Sequence, residues 1–285
     1  MVGPEEPLYN EKQVRRWLAS FPGGSVRLAR NEEGRWAELI LANEEALNAF
    51  TGSMMLQLEQ CLTALAEWQD ARYVLVRGEG GNFCCGGDLK RLMSQIMEPA
   101  SGSKMSIFMQ AEASKLYRLP LLSLALLEGH TLGGGAELAV ACDFRLMTRD
   151  ARIGFIQSKL GVSPGWGGGT HLVRLLGPQV ALRLLCSGRL LEAREALNLG
   201  LVDAVLEADS GTPEAMRMAH EWADELFGNA DRMRAVKAAK LVVRNVQECA
   251  YNEALNRERD IFTRLWGGAE HKRRLAAVLD KMGKE

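Results

Sequence analysis

The amino-acid sequence predicts an α/β fold, with ββα units in the first part of the chain and a helical region from about residue 205 onward. Three observations predict it. Short β-rich runs alternate with amphipathic helical runs as far as residue 148, glycine-rich turns join strand to helix at 86–87 and 133–135, and helix formers dominate beyond Pro164. Apolar residues make up 47% of the 285, enough for one large core or a core with a smaller appended domain. The chain therefore divides into a core with an N-terminal extension (1–204) and a helical C-terminal region (205–285).

The elements follow in order. SVRLAR (25–30) and RWAELILA (35–42) read as paired strands. Residues 53–68 form an amphipathic helix with Met54, Leu58, Cys61, Leu62 and Leu65 on one stripe, completing a ββα unit. The pattern resumes with the strand YVLVRG (73–78), a glycine-rich turn, a helix from about 88, and a second helix over 103–118 that stops before Pro120. LLSLALLEG (121–129) is a buried strand, followed by the second glycine turn, a short helix to about 141 and the strand DFRLMT (143–148). Helices are expected at 167–176, 178–187, 192–199, 213–227, 230–247 and 250–282. Leu255, Phe262, Leu265 and Trp266 form a stripe on the last of these, which must bury against the core or a neighbouring subunit.

Bulk properties exclude several classes. A net charge of −1 provides no global field for nucleic acid or an anionic membrane, so any anion must be bound locally. KRR at 272–274 reads as a solvated, dipole-complementing helix end. The most apolar stretch, 120–127, falls far short of the roughly 20 residues a bilayer requires. The N-terminus has early glutamates and no apolar signal region, and the six cysteines show no C-x-x-C pair, so a cytosolic protein with reduced thiols is expected. His130 reads as a strand-end residue; His171, His220 and His271 read as ordinary helix positions without ligand spacing, so no metal is implied.

The two glycine turns carry the chemistry. GNFCCGGDLKRL places Gly86 and Gly87 before Asp88, and EGHTLGGGAEL places Gly133 to Gly135 before Glu137. Glycine permits close approach of a ligand to the backbone, and a helix start presents unpaired N–H groups. Two such turns facing each other would make an oxyanion hole. Asp88 at the start of a helix reads first as a cap.

These same stretches, with KLGVSPGWGGGTHLVRLLG and ALRLLCSGRLLEAREALNLGLVDAVL, resemble the crotonase (enoyl-CoA hydratase/isomerase) superfamily, in the family's order over roughly 25–285. The resemblance implies a crotonase-type spiral of ββα units with a helical C-terminal trimerisation region, assembled as a homotrimer or homohexamer. It implies that Gly87 and Gly134 donate to an acyl-CoA thioester carbonyl and that Glu137 is the first catalytic glutamate of hydratases. It also implies that Ala46, Leu47 and Asn48 line the pantetheine arm, that the backbone of Cys85 and Gly87 grips the adenine, and that Gly86 and Asp88 belong to the same substrate-binding turn. Many relatives carry a basic residue where Glu44 and Glu45 precede Ala46, so Lys90 or basic C-terminal residues would serve the phosphates. Trp166 would wall the acyl pocket.

Gln157 occupies the place of the second glutamate, seven residues before Pro164. An amide neither donates nor accepts a proton at neutral pH, which argues against hydration and for enolate chemistry such as decarboxylation. FTGSMMLQLEQ (50–60) and NEALNRERDIFTRLWGG (252–268) strengthen the resemblance to the branch of the superfamily that decarboxylates ethylmalonyl-CoA and related branched malonyl thioesters. No cofactor is expected beyond the coenzyme A of the substrate, and neither nucleic acid nor membrane is an expected partner. The alternatives are an enoyl-CoA hydratase or isomerase, and a non-catalytic RNA-binding member of the fold.

Overall fold

A computed structural model of the chain describes residues 10–228 and 230–282. Two compact units emerge, Met1–His220 and Glu221–Glu285. The division falls inside a helix and after a strand that belongs to the first unit, later than the boundary near 205 read from composition.

The first unit starts with α1 (Glu11–Ala19), capped where the Asn10 side chain accepts the Gln13 N–H, and buries Val14 and Leu18. β1 (Ser25–Asn31) and β2 (Trp36–Ala42) pair antiparallel. Thr51 caps α2 (Gly52–Glu67) by accepting the Met54 N–H, and Met54, Leu58, Leu62 and Leu65 form its buried stripe, as the periodicity predicts. β3 (Tyr73–Gly78), α3 (Pro99–Arg118), β4 (Leu122–Leu127), β5 (His130–Leu132), α4 (Gly134–Ala139), β6 (Phe144–Thr148) and β7 (Arg152–Gly154) follow. Then come α5 (Gly168–Leu176), α6 (Pro178–Ser187), β8 (Leu191–Glu192), α7 (Ala193–Asn198), β9 (Ala204–Leu206) and α8 (Pro213–Phe227).

The main sheet has the order β1-β2-β3-β4-β6-β9, parallel from β2 onward; β5, β7 and β8 form a second sheet. β4 is buried at every residue, as expected of a parallel strand covered on both faces. Because β3 and β4 are parallel neighbours, their C-terminal ends open on the same side, and each leads toward one glycine turn. That topology brings the two turns together.

The second unit contains α9 (Met233–Glu248), α10 (Tyr251–Leu265) and α11 (Ala269–Met282). The single helix expected over 250–282 is two, because Gly267 adopts a left-handed φ of +72° between them. The helix expected from 88 is instead a capped turn and a 3₁₀ segment, Met93–Gln95; α3 begins only at Pro99, which suits a first helical position. The strands of two or three residues are too short to carry a period, whereas α1, amphipathic with Val14 and Leu18 one turn apart on its buried face, was not among the expected helices. Among the described residues no helix is long and apolar enough to cross a membrane.

Candidate active site

The site is assembled from three loops packed on the second glycine turn, which opens α4. In the first, Leu47 and Asn48 both adopt left-handed φ values (50° and 58°), a conformation that costs a leucine on the order of 1 kcal/mol or more. The Asn48 side chain holds it in place: Oδ1 accepts the Asn43 N–H, and Nδ2 donates to the Glu79 and Asn82 carbonyls at 2.8 and 2.7 Å. The Cys85 N–H donates to the Leu47 carbonyl at 3.1 Å. Residues 46–48 are thereby laced to the first glycine turn, with Asn48 buried and the Leu47 side chain exposed.

The second loop is that turn. The Phe50 N–H donates to the Gly86 carbonyl (2.7 Å) and the Asp88 N–H to the Phe50 carbonyl (2.8 Å). This parallel bridge between Phe50 and Gly87 directs the Gly87 N–H away from Phe50. Gly86, at φ +90°, lies so close to α4 that a side chain there would start 3.0 Å from the Gly134 nitrogen. Gly135 approaches the Cys84 carbonyl too closely for any side chain. The two turns are in backbone contact. Gly134 opens α4, so its N–H has no carbonyl one turn back. Among the described residues neither the Gly87 nor the Gly134 N–H donates to another main-chain group.

The third loop, 164–168, covers them. A methyl at Gly134 would lie 2.6 Å from the Trp166 ring, and one at Gly87 would lie 2.9 Å from the Met93 sulfur and 4.0 Å from the same ring. The Phe50 ring meets Trp166 edge-on at 5.7 Å. Trp166, Met93 and Phe50 thus make an apolar wall beside the paired amides. Met93 and Phe50 were not anticipated from the sequence; FTGSMM had signalled the region without singling out the ring.

Glu137 is buried and fully engaged. Oε1 accepts from Gln157 Nε2 (2.8 Å) and the Gly165 N–H (3.2 Å); Oε2 accepts from the Trp166 (2.8 Å) and Gly168 (2.9 Å) N–H groups. Burial raises its carboxyl above the ordinary range, while the donors of Gly168, Trp166, Gly165 and Gln157 oppose that by favouring the ionised form. Every partner is a donor, so the arrangement suits the carboxylate and gives a protonated acid no acceptor. The same chemistry orients Gln157: the atom facing a carboxylate must be the NH₂, which leaves its buried Oε1 without a partner among the described residues.

Asp88 acts as the cap its position suggested, Oδ1 accepting the Lys90 and Arg91 N–H groups at 3.0 and 2.8 Å. The Lys90 side chain is exposed, whereas Arg91 pairs with Glu45 at 3.1 Å and reaches Asn43 Oδ1 at 3.3 Å. Burial pushes the Cys84 thiol up to about 12 and the Cys85 thiol up to about 11, so neither is a thiolate nucleophile near neutrality. His130 is exposed at the start of β5 and bonds to Asn82 Oδ1 at 3.1 Å, a strand-end role. The structure brings Gly86, Gly87, Gly134, Glu137, Gln157 and Trp166 together; Ala46 to Asn48 and Cys85 adjoin them through the first loop.

Comparison with known proteins places the chain in a family. A family described as enoyl-CoA hydratase/isomerase matches residues 32–282. A Danio rerio protein named ethylmalonyl-CoA decarboxylase is 44% identical over 266 residues, 93% of this chain and 87% of its own. Its Mus musculus namesake is 38% identical over 260 residues, 91% and 79% of the two chains. The crystal structure of an enoyl-CoA hydratase from Bacillus anthracis superimposes with a TM-score of 0.79 at 26% identity, over 90% of this chain and 96% of that one. One from Thermoplasma volcanium gives 0.78 at 28% identity, over 88% and 96%. The chain belongs to the enoyl-CoA hydratase/isomerase family, the crotonase superfamily.

Proposed function

We propose that the chain decarboxylates short, branched malonyl-type coenzyme A thioesters, ethylmalonyl-CoA first and methylmalonyl-CoA second. The observation that carries this is a pair of unengaged glycine amides at touching turns, beside an apolar wall and with an amide, Gln157, where a second carboxylate would be needed for hydration. In this reading the thioester oxygen lies between the Gly87 and Gly134 N–H groups, which form an oxyanion hole. Breaking the bond to the carboxylate releases CO₂ and leaves the electron pair as a thioester enolate. Each fixed donor is worth about 3–4 kcal/mol to the developing charge. Protonation at the α-carbon completes the reaction, which calls for no metal or redox group; coenzyme A enters as part of the substrate.

The wall of Trp166, Met93 and Phe50 favours the neutral CO₂ over the carboxylate it replaces. Ala46, Leu47, Asn48, Cys85 and Gly86 would border the coenzyme A moiety, Asp88 would hold their turn, and exposed Lys90 would meet its phosphates. The similarity to proteins named ethylmalonyl-CoA decarboxylase supports the substrate. We further propose a trimer or hexamer built through the C-terminal helices, working in the cytosol, a reducing compartment that suits free cysteines.

Incubating the protein with a panel of acyl-CoAs, while following CO₂ release and product mass, tests the reading. Ethylmalonyl-CoA is expected to yield butyryl-CoA with loss of one CO₂. Hydration of crotonyl-CoA faster than that loss would replace it with a hydratase.

A further inference from the structure

A group that moves protons at a reacting centre must face it with a lone pair or an O–H. Glu137 offers neither, since three main-chain N–H groups and the Gln157 amide take up both of its oxygens. What the carboxylate does hold is the main chain around Trp166. Gly134 and Glu137 lie three residues apart in α4, hence on one face. Glu137 therefore grips the Trp166 N–H on the face where the Trp166 ring rests on Gly134, and the same ring flanks Gly87. Gly168 is part of the fit: a side chain there would collide with Glu137 itself. Gln157 completes the set as a donor that stays a donor at every ordinary pH, where a glutamate would bring two carboxylates to 2.8 Å and force them to share a proton.

Resting on the decarboxylase reading above, we propose that Glu137 and Gln157 are positioning residues: together they clamp the 165–168 loop so that the Trp166 indole walls the Gly87 and Gly134 amides, and neither exchanges a proton with the substrate.

Gln157→Glu tests this without removing any contact. Near pH 6 the introduced carboxyl is protonated and donates to Glu137 as the amide did, and kcat is expected within about 3-fold of wild type; as the pH rises toward about 9 the second proton leaves, the carboxylates repel, and kcat falls about 100-fold while KM changes little. Glu137→Gln should lower kcat by a similar factor and retain every limb of the wild-type pH profile. In a Trp166→Leu background the same substitution should cost less than about 3-fold, because the ring it positions is gone. A flat pH response in Gln157→Glu, a pH limb lost in Glu137→Gln, or an undiminished effect of Glu137→Gln in the Trp166→Leu background would each overturn the clamp. A second readout needs no turnover: the emission component absent from Trp166→Phe should shift to the red in Gln157→Glu as pH rises, and its failure to shift refutes the clamp. A wild-type protein that releases no CO₂ from any thioester would instead remove the decarboxylase reading and leave this spectroscopic arm to judge the clamp.

Discussion

At the scale of single residues, the two proposed donor glycines are not equivalent. A methyl at Gly134 would meet the Trp166 ring at 2.6 Å, and that ring is backed by Phe50 while the main-chain N–H of its residue is held by Glu137. A methyl at Gly87 would meet mainly the thioether of Met93 at 2.9 Å, a flexible end that can turn aside. Gly134→Ala is therefore expected to lower kcat for CO₂ release about 100-fold and Gly87→Ala by no more than about a tenth of that factor, as steady-state kinetics would show. Cysteine reactivity gives a second check. Cys84 and Cys85 are held as thiols by burial, whereas Cys186 is exposed, so a maleimide at neutral pH should label Cys186 first and leave Cys84 unmodified until the protein unfolds, as peptide mass mapping would reveal. The glycines were legible as turn formers from their clusters. Which of them must be glycine was not, because that depends on atoms distant in sequence: the Cys84 carbonyl for Gly135, the Trp166 ring for Gly134 and the Glu137 side chain for Gly168.

At the scale of elements, α1, α2 and α3 are joined by charge as well as by apolar contact. Arg15 of α1 pairs with Glu59 of α2 at 2.7 Å, and Lys115 of α3 lies 3.6 Å from Glu59 and 2.8 Å from Glu112. Glu112 is buried, with Oε2 lacking a partner among the described residues; burial raises its carboxyl above the usual value, and Lys115 only partly offsets this. A raised value means that the folded chain holds the proton more tightly than the unfolded chain does. The associated stability is present below the ordinary carboxylate range and is lost as pH climbs through the raised value. Glu112→Gln should therefore stabilise the protein near pH 7.5, and the gain should vanish near pH 4, measured by urea melts at both. Glu59 works in the opposite sense: although burial opposes it, Arg15 and Lys115 lower its carboxyl, so its contribution is present at neutral pH and lost on acidification. The α2 stripe, β3 and the helices 178–187 and 213–227 could be read from periodicity and flanking glycine or proline. The turn at 88–95 defeated that reading because Asp88, a good helix start, caps only a single turn before the chain bends away to reach Pro99.

At the scale of the whole molecule, the C-terminal helices present Tyr251, Leu255, Phe262, Trp266, Leu275 and Leu279 to the surface of the isolated chain, with Trp266 64% exposed. The proposed trimer or hexamer would cover this apolar surface. Phe262→Glu with Trp266→Glu is expected to convert the proposed assembly to smaller species, and light scattering coupled to size exclusion would give their mass; unaltered mass would remove these helices from the proposed contact. The stripe itself was legible, since Leu255, Phe262, Leu265 and Trp266 recur at helical spacing; Leu255, Phe262 and Trp266 are exposed in the single chain, and their cover is part of the proposed assembly. Local patterns along the chain were sufficient for the fold class, the family and the two glycine turns, because strand alternation, helical periodicity and a motif are all properties of near neighbours. The convergence of those turns, the apolar wall of Phe50, Met93 and Trp166, and the enclosure of Glu137 by four donors came only with the folded chain. Each is a contact between segments tens of residues apart, and parallel pairing of β3 with β4, which no local pattern encodes, sets where those segments meet.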